Sequence, residues 1–166
     1  MTMTASLEHA EQALNKILST SHYLSLATVD ALGNPHASHT PFVVDKKKHF
    51  YVFISEVSAT SANLLNNKEA SIILLDRQSA DGDPFTPKRL RLQCNVVPVL
   101  KGSDVWTDAM SKFEKAFAEK AKSVMDAPEQ FLLIQLTPFR GRLVISKDEI
   151  YDVDGNRLEE IKPFTP

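Results

Sequence analysis

The sequence is poor in cysteine, in glycine and in net charge. Cys94 is the one cysteine among 166 residues, which excludes an internal disulfide and a zinc site built from several cysteines. Only 5 glycines stand beside 9 prolines, which excludes collagen-like and glycine-rich arrays. The 19 Lys and Arg residues nearly balance 21 Asp and Glu residues, leaving a formal charge of −2. A chain of this charge does not attract nucleic acid as a whole, and we expect no nucleic-acid partner.

Long apolar runs are also absent. No stretch approaches the roughly 18 apolar residues that a membrane-spanning helix needs. The first eleven residues do not show a basic segment followed by an apolar one, which is the pattern of a secretory signal. We therefore expect a soluble cytoplasmic protein that has no membrane partner.

The proportions of hydrophobic and charged residues are typical of a globular protein. Hydrophobic residues make up 43% of the sequence and charged residues 24%. The length favours one domain over residues 1–166. Apolar residues at helical spacing predict an N-terminal helix over about 5–19, and alternating segments over about 22–155 predict strands.

The strand segments lie in hairpin order rather than alternating with helices. A short helix is predicted over 58–66 and a long helix from 103 to about 125. Strands are predicted over 23–29, 35–44, 50–54, 71–75, 90–100, 131–136 and 142–151, with a polar loop over 77–87. Six or seven short strands with few crossovers indicate a mainly β (α+β) fold, a small antiparallel barrel with peripheral helices.

The first candidate site lies on the second predicted strand. Because strand side chains alternate, His36, Ser38 and Thr40 share one face, while Ala37 and His39 share the other. The row of hydrogen-bonding side chains could line a binding site for a polar ligand, or it could be the solvent-exposed face of an edge strand. His36 and His39 point to opposite faces and should not chelate one metal ion, so no metal site is predicted.

The second candidate site follows the third strand. Ser55 ends that strand, and hydroxyls at Thr60 and Ser61 and the amide of Asn63 follow at the start of a helix. Unpaired backbone N–H groups and the helix dipole make such a place suitable for an anion such as a phosphate. The alternative is ordinary capping of the helix by Ser58 or Thr60.

The third candidate is a pair of arginines on the fifth strand. Arg89 and Arg91 share one face, and two guanidinium groups suit a phosphate or carboxylate, although both could simply be solvated.

Cys94, within a strand, is interpreted as a small buried hydrophobe. No nucleophile with a base and no matched pair of acids is evident, so catalytic residues remain unassigned. A bound cofactor would have to supply any difficult chemistry.

The order of several segments resembles the pyridoxamine-5′-phosphate-oxidase-like, FMN-binding split-barrel superfamily. The resemblance begins with LATVDALGNPHASHTPFV and continues with FYVFIS and the Asn63–Leu64 pair. Later segments resemble its haem-utilisation branch, the HugZ/HutZ-type proteins. These segments are DPFTPKRL, the long helix with Phe113 and Glu114, and FLLIQLTP.

The resemblance implies a six-stranded split barrel that forms a homodimer, with two equivalent cofactor sites at the subunit interface. In FMN-binding relatives the second strand, the end of the third strand and the next helix start hold the phosphate of FMN. These positions match residues 36–41, Ser55, Thr60 and Ser61 here. Flavin-binding members usually have Arg-Lys where this chain has Thr60-Ser61. The resemblance therefore implies that nearby residues 88–91, including Arg89 and Arg91, supply the missing charge.

Three functions remain open at this point. The resemblance favours an FMN flavoprotein that acts as a small-molecule oxidoreductase. The alternative is a haem-binding or haem-degrading utilisation protein, and the second alternative is a ligand-binding barrel without a cofactor. The haem branch takes its axial histidine from a C-terminal extension, whereas the last histidine here is His49. Haem is therefore expected to bind weakly or without a defined histidine ligand.

Overall fold

A computed structural model describes residues 3–76, 85–122 and 126–165. Most of the predicted polar loop, residues 77–84, and the predicted end of the long helix, residues 123–125, lie outside the described residues. The first two residues of the DPFTPKRL segment also fall there. The side chains of residues 3–5 and 121 are likewise not described.

The described residues form three α-helices and eight strands. The helices are α1 Met3–Thr20, α2 Ala59–Asn66 and α3 Asp104–Phe117, and short 3-10 turns cover Ala118–Ala121 and Pro128–Gln130. The strands are β1 Tyr23–Val29, β2 Pro35–Val44, β3 Phe50–Ser55, β4 Glu69–Leu75, β5 Arg89–Pro98, β6 Phe131–Val144, β7 Ile150–Asp154 and β8 Glu160–Pro163. No helix within the described ranges is both long enough and apolar enough to cross a membrane.

Six of the strands close into an antiparallel barrel. The order is β3-β2-β1-β4-β5-β6, and pairing between β3 and β6 joins the two ends. β7 and β8 extend the sheet beyond β6 as two further strands. The predicted mainly β barrel with flanking helices is therefore confirmed.

The prediction of two separate strands over 131–136 and 142–151 is wrong. β6 runs without a break through Pro138, a residue that usually interrupts a central strand. Pro138 pairs with Cys94 while Arg140 pairs with Gln93, so Phe139 is an extra residue in a bulge. The bulge lets β6 pair with β3 along its first half and with β7 along its second half.

Two hydrophobic clusters lie on the two sides of the barrel wall. The larger cluster fills the barrel and includes Leu14 and Ile17 of α1. The smaller cluster lies between α3 and the outer side of β3, where Phe53 packs near Phe113. The predicted long helix is shorter than expected, because Ala118 adopts a left-handed φ of 44° and ends α3 after Phe117.

The outer face of β1, β2 and β4 is left exposed. Three large apolar side chains on this face are between 41% and 51% exposed, namely Tyr23, Val29 and Leu75. Ala27 and Ala37 pair with each other at the centre of the face and are also exposed. The fold therefore leaves several small and apolar side chains of this face exposed.

Helix α2 is anchored to the barrel by a buried side-chain hydrogen bond. Ser58 caps the helix by accepting a hydrogen bond from the backbone N–H of Ser61. Asn63 then donates from Nδ2 to Oγ1 of Thr28 at 3.0 Å. Both side chains are almost fully buried, so this bond fixes the helix against β1 without solvent competition.

Replacing Asn63 by alanine should destabilise the protein, because it leaves the Thr28 hydroxyl buried without its partner. We expect the free energy of unfolding to fall by about 1–3 kcal/mol, measured by urea denaturation. Asn66→Ala is the matched control, since Asn66 is exposed on the same helix. Its effect should stay within about 0.5 kcal/mol. Equal effects of the two substitutions would contradict the anchoring role of Asn63.

Candidate functional site

The polar row on β2 faces the inside of the barrel. In the register between β1 and β2, Thr28 lies opposite His36 and Leu26 lies opposite Ser38. Because Leu26 and Thr28 are buried, the β2 residues paired with them point the same way. His39 points outward, so the predicted separation of the two histidines onto opposite faces is confirmed.

The structure brings His36 together with the residues at the start of α2. Thr60 Oγ1 lies 3.3 Å from His36 Nε2. The hydroxyl of Ser61 donates to the backbone carbonyl of Ser55 at 2.6 Å, and Ser58 donates to Ser61 Oγ at 3.1 Å. These contacts and the bond from Asn63 to Thr28 are three separate hydrogen-bonded groups around the start of α2, and together we call them the α2 cluster.

His36 is the one residue of the α2 cluster with an ionisable side chain. Its hydroxyls and amide already bond to protein groups, and no lysine or arginine of the described residues forms a hydrogen bond or ion pair with it. A phosphate here would meet only the helix dipole and one imidazole. The cluster is therefore better suited to holding α2 in place than to binding a doubly charged anion.

Further along the same inner face, Ser38 and Thr40 make few polar contacts. Thr40 is buried, and its hydroxyl lies 3.3 Å from the carbonyl of Pro41. Ser38 Oγ is buried and has no hydrogen-bond partner within the described part of the chain. Of the predicted row, only His36 thus contacts α2.

The structure does not bring Arg89 and Arg91 to the α2 cluster within one chain. Leu90 and Leu92 point into the barrel, so the arginines between them point outward. Val96, near the opposite end of β5, donates to the backbone carbonyl just after α2. At about 3.3 Å per residue, the arginines lie roughly 16–23 Å along the strand from that end.

Arg91 instead belongs to an outward groove that the sequence did not indicate. This groove has a volume of about 430 Å³, and it is also lined by Arg140, Arg142, Asp152 and Asp154. Arg142 donates from Nε and Nη2 to Asp152 at 2.9 and 2.8 Å. Arg140 and Arg142 alternate on one face of β6, a signal that was missed because a strand break was predicted just before Arg142.

A second outward groove lies between β1, β2 and β4, next to the turn that follows α1. It has a volume of about 320 Å³, and its lining includes His22, Tyr23, Ser25, His39 and Ile73. The rings of Tyr23 and His39 are stacked, with centroids 5.4 Å apart. The sequence does not indicate this groove, because it forms only when three strands lie side by side.

Two buried groups of the described residues, the Cys94 thiol and the Tyr51 hydroxyl, are not activated as nucleophiles. Cys94 is fully buried, and burial raises the pKa of its thiol to about 12, so it stays protonated. Burial and the neighbouring Asp45 carboxylate also raise the pKa of Tyr51, whose hydroxyl donates to Asp45. Among the residues with described positions, no three or more His, Cys, Asp or Glu are placed to hold a metal ion.

Comparison with known proteins agrees with this fold. The sequence matches the pyridoxamine 5′-phosphate oxidase family over residues 10–145. It is 30% identical over 135 residues to Heme oxygenase HutZ of Vibrio cholerae, which covers 81% of this chain and 76% of HutZ.

Two solved structures share the fold. The crystal structure of HutZ, the haem storage protein from Vibrio cholerae, has a TM-score of 0.71 at 27% identity, covering 78% of this chain and 89% of that one. Campylobacter jejuni ChuZ has a TM-score of 0.81 at 26% identity, covering 95% of this chain but only 63% of ChuZ.

A pyridoxamine 5′-phosphate oxidase-related, FMN-binding protein from Nostoc punctiforme shows the same fold at 15% identity, with a TM-score of 0.63 and 96% of each chain covered. The resemblance noted in the sequence is thus confirmed, including its position near the haem-utilisation branch. On the match over residues 10–145 and the barrel described above, this chain belongs to the pyridoxamine 5′-phosphate oxidase family of split barrels.

Proposed function

We propose that this chain is a haem-binding protein of the haem-utilisation type. The observation that carries this proposal is its 30% identity to Heme oxygenase HutZ across four-fifths of the chain. The resemblance in sequence alone favours an FMN flavoprotein, with haem as the alternative. The similarity to HutZ and the chemistry of the two candidate sites support the reverse order.

The residues at the predicted phosphate site fit FMN poorly. The ribityl phosphate of FMN carries up to two negative charges and is usually bound by cations as well as by N–H groups. The start of α2 offers Thr60 and Ser61, whose hydroxyls are already engaged with His36 and Ser55. Arg89 and Arg91 lie on another face of the barrel, so one chain alone does not neutralise the phosphate.

The outer sheet face carries some of the groups that haem uses. Haem needs an axial donor such as a histidine nitrogen, apolar contacts for the porphyrin and partners for its carboxylates. One groove on this face is lined by His22, His39 and the apolar Ile73 and Leu75, together with the carboxylate of Asp76. The guanidinium of Arg91 lines a second groove. When bound, haem would supply iron-centred redox chemistry, and the protein's part is to bind and orient it.

We also propose that the chain forms a homodimer through this face, with a cofactor site at each subunit boundary. Contiguous exposed apolar surface usually marks an interface. Tyr23, Val29 and Leu75 lie around the small pair Ala27 and Ala37, which would allow a second sheet to approach closely. A two-fold dimer would cover the same patch on both copies.

The cofactor proposal predicts that haem binds in preference to FMN. Titration of the purified chain with haemin should give a saturable Soret band, because iron acquires a protein ligand. The dissociation constant for FMN, followed by quenching of flavin fluorescence, should be at least about tenfold higher, a difference of about 1.4 kcal/mol. A yellow preparation that retains FMN and does not bind haemin would contradict the proposal. A protein that binds neither FMN nor haemin would also contradict it.

The dimer proposal predicts that one glutamate on the outer face separates the subunits. Ala27→Glu should give a monomer in sedimentation at micromolar concentration, since an unpaired charge would be buried in the interface. Ala116→Glu is the matched control, because Ala116 is exposed on α3, and this variant should remain a dimer. A wild-type chain that sediments as a monomer would refute the proposed interface.

A further inference from the structure

The groove across β5, β6 and β7 gathers three arginines on one outward face. In the strand registers Gln93 lies opposite Arg140, and a second row runs from Arg91 through Arg142 to Asp152. The two residues from β5 and the two arginines from β6 occupy the corners of a rectangle on neighbouring strands. The groove that they line has a volume of about 430 Å³, which is within the usual size of a small-molecule site.

The bulge in β6 determines that these arginines face outward. Pro138 lies opposite Cys94, and both residues are buried in the barrel wall. Strict alternation after Pro138 would turn Arg140 inward. The extra residue Phe139 reverses this, so that Arg140 and Arg142 point to the same side as the exposed residues of β5. Bulges that redirect side chains in this way are common beside functional sites.

The groove also places like charges together. Arg91 and Arg142 lie directly opposite each other on adjacent strands, a position in which equal charges destabilise a sheet. Arg142 is compensated, because it donates two hydrogen bonds to Asp152 and its guanidinium lies 3.8 Å from the centre of the Phe164 ring. The guanidinium of Arg91 forms no hydrogen bond or ion pair with any residue that the structure describes. A bound anion would relieve the repulsion.

Arg140 is a second guanidinium of this kind. Asp154 lies opposite it on β7, but the two side chains form no ion pair, and among the described residues Arg140 contacts only the ring of Phe139, at 5.8 Å. Three arginines and two aspartates line the groove, so it has an excess of one positive charge on a chain whose net charge is −2. Arg91 and Arg140 are therefore available to an anionic ligand.

The arrangement of these donors suits a phosphate group better than a carboxylate. Arg91 and Arg140 are diagonal neighbours on adjacent strands, a relation that separates residues by about 7–8 Å. One guanidinium can satisfy both oxygens of a carboxylate. A phosphate group has three oxygens, which can accept from two guanidinium groups and from the side-chain amide of Gln93 together. The groove is larger than a phosphate group and leaves space for the remainder of the ligand.

The groove borders the face proposed for the dimer but does not coincide with it. In the registers Ala27 lies opposite Ser71, Ser71 opposite Gln93, and Gln93 opposite Arg140. Three strand spacings of about 4.8 Å place Arg140 roughly 14 Å from Ala27. All of the lining residues come from one chain, so the groove is complete without a second subunit.

We propose that this groove binds the phosphate group of a small phosphate monoester. Arg91 and Arg140 hold the phosphate, and Gln93 donates a further hydrogen bond. Arg142 is fixed by Asp152 and adds positive charge at the fourth corner. This site is additional to the proposed binding of haem and needs no cofactor.

The test follows the binding of inorganic phosphate and of glycerol 3-phosphate to the full chain by isothermal titration calorimetry at constant ionic strength. Wild type should bind both with saturation, and glycerol should not bind. Arg91→Ala and Arg140→Ala should each weaken binding at least about tenfold, because each removes a charged hydrogen-bond donor. Arg89→Ala is the matched control from the same strand, since Arg89 donates to the carbonyl of Pro87 and does not line the groove. It should change the affinity less than about threefold.

Four results would overturn the proposal. Wild type could fail to bind phosphate, or Arg89→Ala could weaken binding as much as Arg91→Ala, which would indicate general attraction of anions to surface charge. Acetate could bind as tightly as phosphate, which would exclude a phosphate-selective site. Binding could be lost in Ala27→Glu, which would show that the site needs a partner subunit.

Haemin titration separates this proposal from the haem function. Arg140→Ala should bind haemin with the affinity of wild type, while its binding of phosphate is weakened. A tenfold loss of haemin affinity in this variant would assign the groove to the carboxylates of haem and overturn the second site. Because Arg91 and Arg140 are exposed, far-ultraviolet circular dichroism and the melting temperature of both variants should match wild type. Failure of wild type to bind haemin would refute the haem function and leave the phosphate site standing.

Discussion

The pairing of β3 with β6 is the contact on which the rest of the structure depends. It joins Phe50–Ser55 to the first six residues of β6, about eighty positions later in the chain. Closing so long a loop costs conformational entropy, and the burial of Phe50, Val52 and Ile134 offsets that cost. Because α2 follows β3 directly and β3 also pairs with β2, Thr60 lies near His36. The same closure bends β1, β2 and β4 into a continuous wall with one face free.

The sequence predicted the barrel in part because some of its strands alternate between buried and exposed residues. β1 and β5 alternate buried and exposed residues along most of their lengths, so their existence and inner faces could be inferred from a period of two. The boundary of β6 could not be inferred, since Pro138 indicates a break when the partner strand is unknown. The end of α3 was missed for a similar reason: Ala118 is a good helix former in sequence, but it adopts a left-handed backbone conformation here.

The candidate site was only partly predictable from sequence. The hydroxyls after β3 could be associated with a helix start because capping residues follow a local pattern, and Ser58 does cap α2. The grooves on the outer face depend on register between strands that are distant in sequence. The row that contains Arg91, Arg142 and Asp152 appears only when β5, β6 and β7 are aligned, and no local pattern encodes that alignment. Membership of a family likewise leaves the choice of cofactor to individual side chains.

Strand β2 carries two independent surfaces on one backbone. His36 contacts α2 on the inside, and His39, three positions later, belongs to the outside. Substitutions at the outward positions therefore leave the interior packing unchanged. Related proteins can then bind different ligands on this face while keeping the same barrel interior. An insertion of one residue within β2 would do the opposite, because every side chain beyond it would change sides and both surfaces would be lost together. Such a strand tolerates changes of residue type far better than changes of length.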